Sequence, residues 1–154
     1  MFKSKWNIVV AFVACALLLP ATVSAKKQVE RPFNIRGDVI SVVNLADGSL
    51  NATVKGNATH LGQFSGTSVG NAFLGYENAE LTAANGDKLT WFATIIPGGP
   101  GEYLIEVTFT GGTGRFASAT GGCSTVITPN IDASSKPGFW IITFSYSASG
   151  TITY

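Results

Sequence analysis

The chain has 154 residues, with ten basic and nine acidic side chains and a formal net charge of +1. That length suits one domain with a sizeable core. Charge is sparse and balanced, and no basic stripe exists beyond Lys26-Lys27, which argues against nucleic acid and anionic membrane as partners.

Residues 1–25 differ in kind from the rest. Lys3 and Lys5 make a short basic start, Ile8 to Leu19 is an unbroken apolar run, and Pro20 closes it. "TVSA" then ends at Ala25 with small residues where signal peptidase prefers them. This is the pattern of a secretory signal cleaved near Ala25. The expected mature protein is one β domain over residues 26–154, secreted or periplasmic. The apolar run is shorter than the roughly 20 residues a membrane span needs, so no span is expected. A lipoprotein cut before Cys15, in "FVAC", is opposed by the bulky Phe12 and by the apolar stretch after Cys15. Cleavage leaves eight basic against nine acidic residues, a charge of −1, and leaves Cys123 as the only cysteine. No intrachain disulfide is then possible.

Past Val29 there is no sustained 3.6-residue apolar rhythm. Short runs rich in threonine, valine, isoleucine and aromatics alternate with glycine and asparagine, which predicts strands. Eight are predicted: Asn34 to Val43, Ser49 to His60, Phe64 to Leu74, Tyr76 to Ala83, Lys88 to Ile96, Glu102 to Phe109, Gly122 to Thr128, and Phe139 to Thr153. "ADGS" (Ala46 to Ser49) and "ANGDK" (Ala84 to Lys88) supply Asp-Gly and Asn-Gly for hairpin turns. "PGGPG" (Pro97 to Gly101) makes a longer connection, because its prolines lack the amide proton a ladder needs. The loop from Thr128 to Gly138 is the longest and is placed to cover one end of the fold.

Several strands have one apolar face. Tyr103, Ile105, Val107 and Phe109 alternate with Leu104, Glu106 and Thr108. Leu89, Trp91, Ala93 and Ile95 form another such row, and Trp140, Ile142, Phe144, Tyr146 and Ala148 a third. One buried face per strand fits an antiparallel sheet. Eight such strands joined mostly by hairpins predict a closed barrel, which also removes vulnerable edges. A β-sandwich is the alternative.

"FTGGTGRFASATGGCS" (Phe109 to Ser124) poses the sharpest question. Gly112 to Ala117 formally matches the dinucleotide fingerprint G-x-G-x-x-A, and Asp132 lies twenty residues beyond Gly112. That fingerprint needs a long helix crossing back over a parallel sheet. "RFASAT" reaches Gly121-Gly122 too soon for one. The glycines are better read as a sheet corner, with Phe116 turned inward as a plug.

This segment resembles the motif shared by dirigent proteins, allene oxide cyclases and bacterial proteins of the allene-oxide-cyclase-barrel type. "GNATHLGQFSG" (Gly56 to Gly66) is similar to a second segment of the bacterial members. The resemblance implies a calycin-like antiparallel eight-stranded barrel with a central cavity, often trimeric in the plant proteins. It carries over no active-site residue.

Few groups offer chemistry. His60 is the only histidine; as a strand-end residue on the face of Leu50, Ala52 and Val54 it is a weak acid–base candidate, set against a hydrogen-bonded rim histidine. Cys123 is a candidate nucleophile or intermolecular disulfide partner, set against a buried thiol. Arg115 is an anion anchor or a turn-stabilising salt bridge. Glu102 and Glu106 share the face opposite the apolar row and read as solvated. One histidine and one cysteine make no zinc site, and the scattered aspartates make no calcium loop, so no metal or cofactor is expected. Asn51-Ala-Thr53 and Asn57-Ala-Thr59 are glycosylation sequons, relevant where the host modifies exported chains. Trp91, Trp140, Phe144 and Tyr146 are the aromatics nominated to line a pocket.

Two functional expectations follow. One is a non-catalytic barrel that binds a small apolar ligand or acts structurally, in the latter case as a surface homo-oligomer built by barrel association. The other is a cyclase or isomerase that steers an apolar intermediate by cavity shape, which requires His60 or a cavity-facing glutamate to reach an open pocket.

Overall fold

The structure, a computed structural model, describes residues 28–133 and 135–154; the expected signal segment lies outside them. The described chain forms nine strands: β1 (Glu30–Asn44), β2 (Ser49–Ala58), β3 (Gly62–Asn71), β4 (Tyr76–Ala83), β5 (Lys88–Pro97), β6 (Tyr103–Gly112), β7 (Thr120–Ile127), β8 (Asn130–Asp132) and β9 (Phe139–Thr153). Among the described residues the one helical element is a single 3-10 turn, Gly114–Phe116. No helix among them is long and apolar enough to cross a membrane.

Each strand from β1 to β6 pairs antiparallel with the next. β7 then pairs with the C-terminal half of β9, from Thr120↔Thr153 to Ser124↔Ser149. β8 takes the N-terminal half, from Asn130↔Thr143 to Asp132↔Ile141. β7 and β8 therefore share one strand position, broken where Pro129 has no amide proton to give. β9 closes the sheet onto β1 without a gap, from Glu30↔Thr153 to Asn44↔Phe139. The result is a closed antiparallel eight-stranded barrel. That closure excludes the sandwich, whose two sheets would leave β1 and β9 as edges.

The expected strands are present with shifted ends. β1 starts four residues before Asn34, and β6 continues past Phe109 to Gly112. The strand expected to reach His60 stops at Ala58, because His60 adopts a φ of +71° and turns the chain into β3. The three-residue β8 arises inside what read as the Thr128–Gly138 loop.

The glycine segment is a corner, as its composition implies. Gly112 has a φ of +155°, and a Cβ there would lie 1.9 Å from the Lys88 carbonyl oxygen. Only glycine fits that close approach. The 3-10 turn then seats Phe116 fully buried inside the barrel, edge-to-face with Tyr154 at 5.3 Å between ring centroids. The antiparallel β6–β7 pair and the single helical turn exclude the dinucleotide reading.

The two ends of the barrel differ. At the end holding the chain start of β1, the β2–β3 turn and the 3-10 turn, Phe33, Leu61, Phe109 and Phe116 are buried together. Phe33 and Phe109 meet edge-to-face at 4.9 Å. This end is sealed. At the opposite end the β1–β2, β3–β4 and β5–β6 connections surround half-buried Tyr103, Trp140 and Ile142, and the long connection is tied in by Leu45 N–H donating to the Gly138 carbonyl at 3.0 Å.

Candidate functional site: a half-buried carboxyl in an apolar barrel interior

The barrel interior is not completely filled. A compartment of about 130 Å³ opens toward the unsealed end, walled by Leu50, Ile95, Ile127, Trp140 and Ile142 among others. Deeper lies a compartment of about 30 Å³, walled by Val39, Trp91, Cys123, Thr125 and Tyr146 among others. Glu77, Ile105 and Phe144 line both, so one carboxyl stands at the junction of the two spaces. Hollows of about 440 and 700 Å³ also exist on the outer wall, flanked by exposed Asp38 and Lys55. They are grooves beside solvated charges, and a larger share of their surface is polar than in the interior.

Strand phase puts Glu77 inside. In β4, residues 77, 79, 81 and 83 point inward, and Ala79, Leu81 and Ala83 are buried. Glu80, out of phase, stays exposed and pairs with Lys88 Nζ at 2.6 Å. Across the β3–β4 ladder Glu77 faces Gly70. A Cβ at Gly70 would come within 2.9 Å of the Glu77 Cβ and 2.1 Å of the Tyr76 carbonyl oxygen, so the missing side chain leaves the carboxyl its room. The next inward residue of β3, buried Ser68, donates from Oγ to Glu77 Oε2 at 3.0 Å.

The interior favours uncharged groups. Burial raises the Glu77 carboxyl above its ordinary value, and the Ser68 hydroxyl offsets only part of that rise. Burial also pushes the Cys123 thiol up to about 12. Tyr146 is raised as well, first by burial and then by the proximity of Cys123, Glu77 and Asp38. Two polar atoms there are buried with no hydrogen-bond partner among the described residues, Trp91 Nε1 and Tyr146 Oη.

The nominated aromatics fall into place around these spaces. Trp140 lines the outer compartment, Trp91 and Tyr146 the inner one, and Phe144 both. His60 lines neither. Its Nε2 sits 3.0 Å from the Pro32 carbonyl oxygen, and its ring meets Tyr154 edge-to-face at 5.7 Å, on the rim of the sealed end. Arg115, within the corner, pairs with Asp87 Oδ2 at 3.2 Å. Glu102 and Glu106 are exposed. Asn51 and Asn57 both face outward from β2 and are exposed. Among the described residues no three His, Cys, Asp or Glu side chains cluster as a metal would require.

The residue that sequence reading missed is Glu77. Its signal was present: it is in step with Ala79, Leu81 and Ala83, two, four and six residues on. No protein-family model, no curated protein and no solved structure matches this chain.

Proposed function

We propose that the protein binds a small apolar molecule inside its barrel, without catalysis. The observation that carries this reading is the apolar compartment of about 130 Å³, open at one end and bearing a single carboxyl, Glu77, at its floor. Ligand pockets are built in this way, mostly apolar with a few placed polar groups. The volume is close to that of an engineered cavity of about 150 Å³ that stays dry and takes up benzene, so the enclosed part of the ligand is about one ring in size. Exposed Leu45, Phe73, Leu74, Ile96 and Ile131 surround the open end and give an apolar molecule a path from water.

Native mass spectrometry of purified protein, with solvent extraction of what it carries, tests this. A retained apolar molecule is expected. Ser41→Leu, which fills the outer compartment from its buried Ser41 position, should weaken that binding at least about tenfold. A protein that retains nothing and takes up no one-ring hydrocarbon defeats the reading.

A second reading, a cyclase or isomerase of the kind the Gly111–Ser124 resemblance suggests, is favoured by one observation. Glu77 is a glutamate facing the cavity, and its burial favours the protonated form. Such a group can hand a proton to a confined intermediate while the walls set its orientation. Its test is an asymmetric cyclised product from a reactive allene oxide, where cyclisation in water alone gives the racemate. Loss of that asymmetry in Glu77→Gln is the expected result, and a racemic product from the unaltered protein ends this reading.

A further inference from the structure

The inner compartment has a feature that binding of a plain hydrocarbon does not use. Trp91 is nine-tenths buried, and its indole N–H meets no acceptor among the described residues. Tyr146 lines the same compartment, and its hydroxyl is likewise buried without a partner among the described residues. Neglected donors of this kind cost a fold about 1–3 kcal/mol each unless something accepts from them. Both residues line one compartment of about 30 Å³. That is room for a group the size of an oxygen atom or a water molecule.

We propose that the inner compartment anchors one neutral acceptor oxygen of the ligand, a carbonyl, ether or epoxide oxygen, between Trp91 Nε1–H and Tyr146 Oη–H, while the ligand's apolar skeleton fills the outer compartment. The proposal rests on the reading that the interior takes an apolar ligand, and it names that ligand's chemistry. A carboxylate is excluded by the walls, because neither compartment is lined by a lysine, arginine or histidine that could compensate its charge. An ammonium group would meet Glu77 but would leave both donors unpaired.

Acetophenone and α-methylstyrene decide the matter, since they share one shape and differ in C=O against C=CH2. Each is titrated into the unaltered protein and into Trp91→Phe and Tyr146→Phe. Each substitution should weaken acetophenone roughly three- to tenfold and leave α-methylstyrene within about twofold. In the unaltered protein, acetophenone should move the Trp91 indole N–H resonance downfield, and α-methylstyrene should not; this readout stands even if a variant fails to fold. If both probes bind, both substitutions affect them alike, and the indole resonance ignores the ketone, the proposal is wrong and a buried water serves the donors. If neither probe binds, the apolar-ligand reading itself falls and takes the proposal with it.

Discussion

Glu77 is the residue on which the interior turns. Its folded-state carboxyl is raised above the ordinary glutamate value of 4.5 by burial. Below that value both the folded and the unfolded chain hold the proton, and Glu77 then contributes its full share of stability. As pH rises, the unfolded chain loses the proton first, so stability falls until the folded carboxyl also ionises. Glu77→Gln keeps an acceptor for Ser68 Oγ and removes the titration. The variant and the parent should unfold at similar urea concentrations near pH 4, and the variant should be the more resistant at pH 8. Urea curves at the two pH values check this, and a gap that is wider at pH 4 contradicts it. Neither Glu77 nor its phase was singled out from the sequence, although its spacing from Ala79, Leu81 and Ala83 carried the information. A charged residue in an apolar row reads as an exception until the wall opposite is known. Here that wall is Gly70, which leaves the carboxyl its room, and Ser68, which hydrogen-bonds it. His60 shows the reverse case: one residue with a positive φ ended the strand and removed the sole histidine from the interior.

At the scale of elements, the corner from Gly111 to Gly122 is the most constrained piece. Gly112 passes so close to the Lys88 carbonyl that a side chain would have to displace the β5–β6 ladder. Gly112→Ala should cost on the order of 3 kcal/mol. Gly62→Ala, also at a positive φ but with open space around it, should cost about 1 kcal/mol. Chemical denaturation of the two variants separates steric from purely conformational strain; equal losses would show that the close approach is relieved cheaply. This corner was legible because glycine density marks backbone geometry directly. Its outcome was also legible, since six residues are too few for a crossover helix. β8 was not, because three residues without alternation acquire strand character only from the free edge of β9 beside them.

The whole molecule is held by one long-range event, the pairing of β1 with β9. Residues at opposite ends of the described chain become partners along Glu30 to Asn44. Closing so long a loop before its contacts reward it slows folding. Refolding followed by tryptophan fluorescence should take milliseconds to seconds, as for other domains dominated by non-local pairs. Refolding within tens of microseconds would mean that the sheet forms without waiting for closure. The same closure makes the two ends unequal. Phe33, Phe109 and Phe116 meet at one end because the corner after β6 and the start of β1 are brought there together, and the other end stays open beneath the β3–β4 turn and the long connection.

Alternation of apolar and polar residues, turn dipeptides and glycine density were enough to specify eight antiparallel strands, because these are local properties of a chain with one face to bury; that the sheet closes as a barrel rather than dividing into a sandwich was decided by the pairing of β1 with β9. The inward faces of β5, β6 and β9 followed from the same period of two. Whether the enclosed space is full depends on the sizes of side chains drawn from all eight positions at once, and no local pattern holds that sum. The compartments, the meeting of Glu77 with Ser68, and the gathering of Trp91 and Tyr146 around one small void exist only once the register of every strand is set.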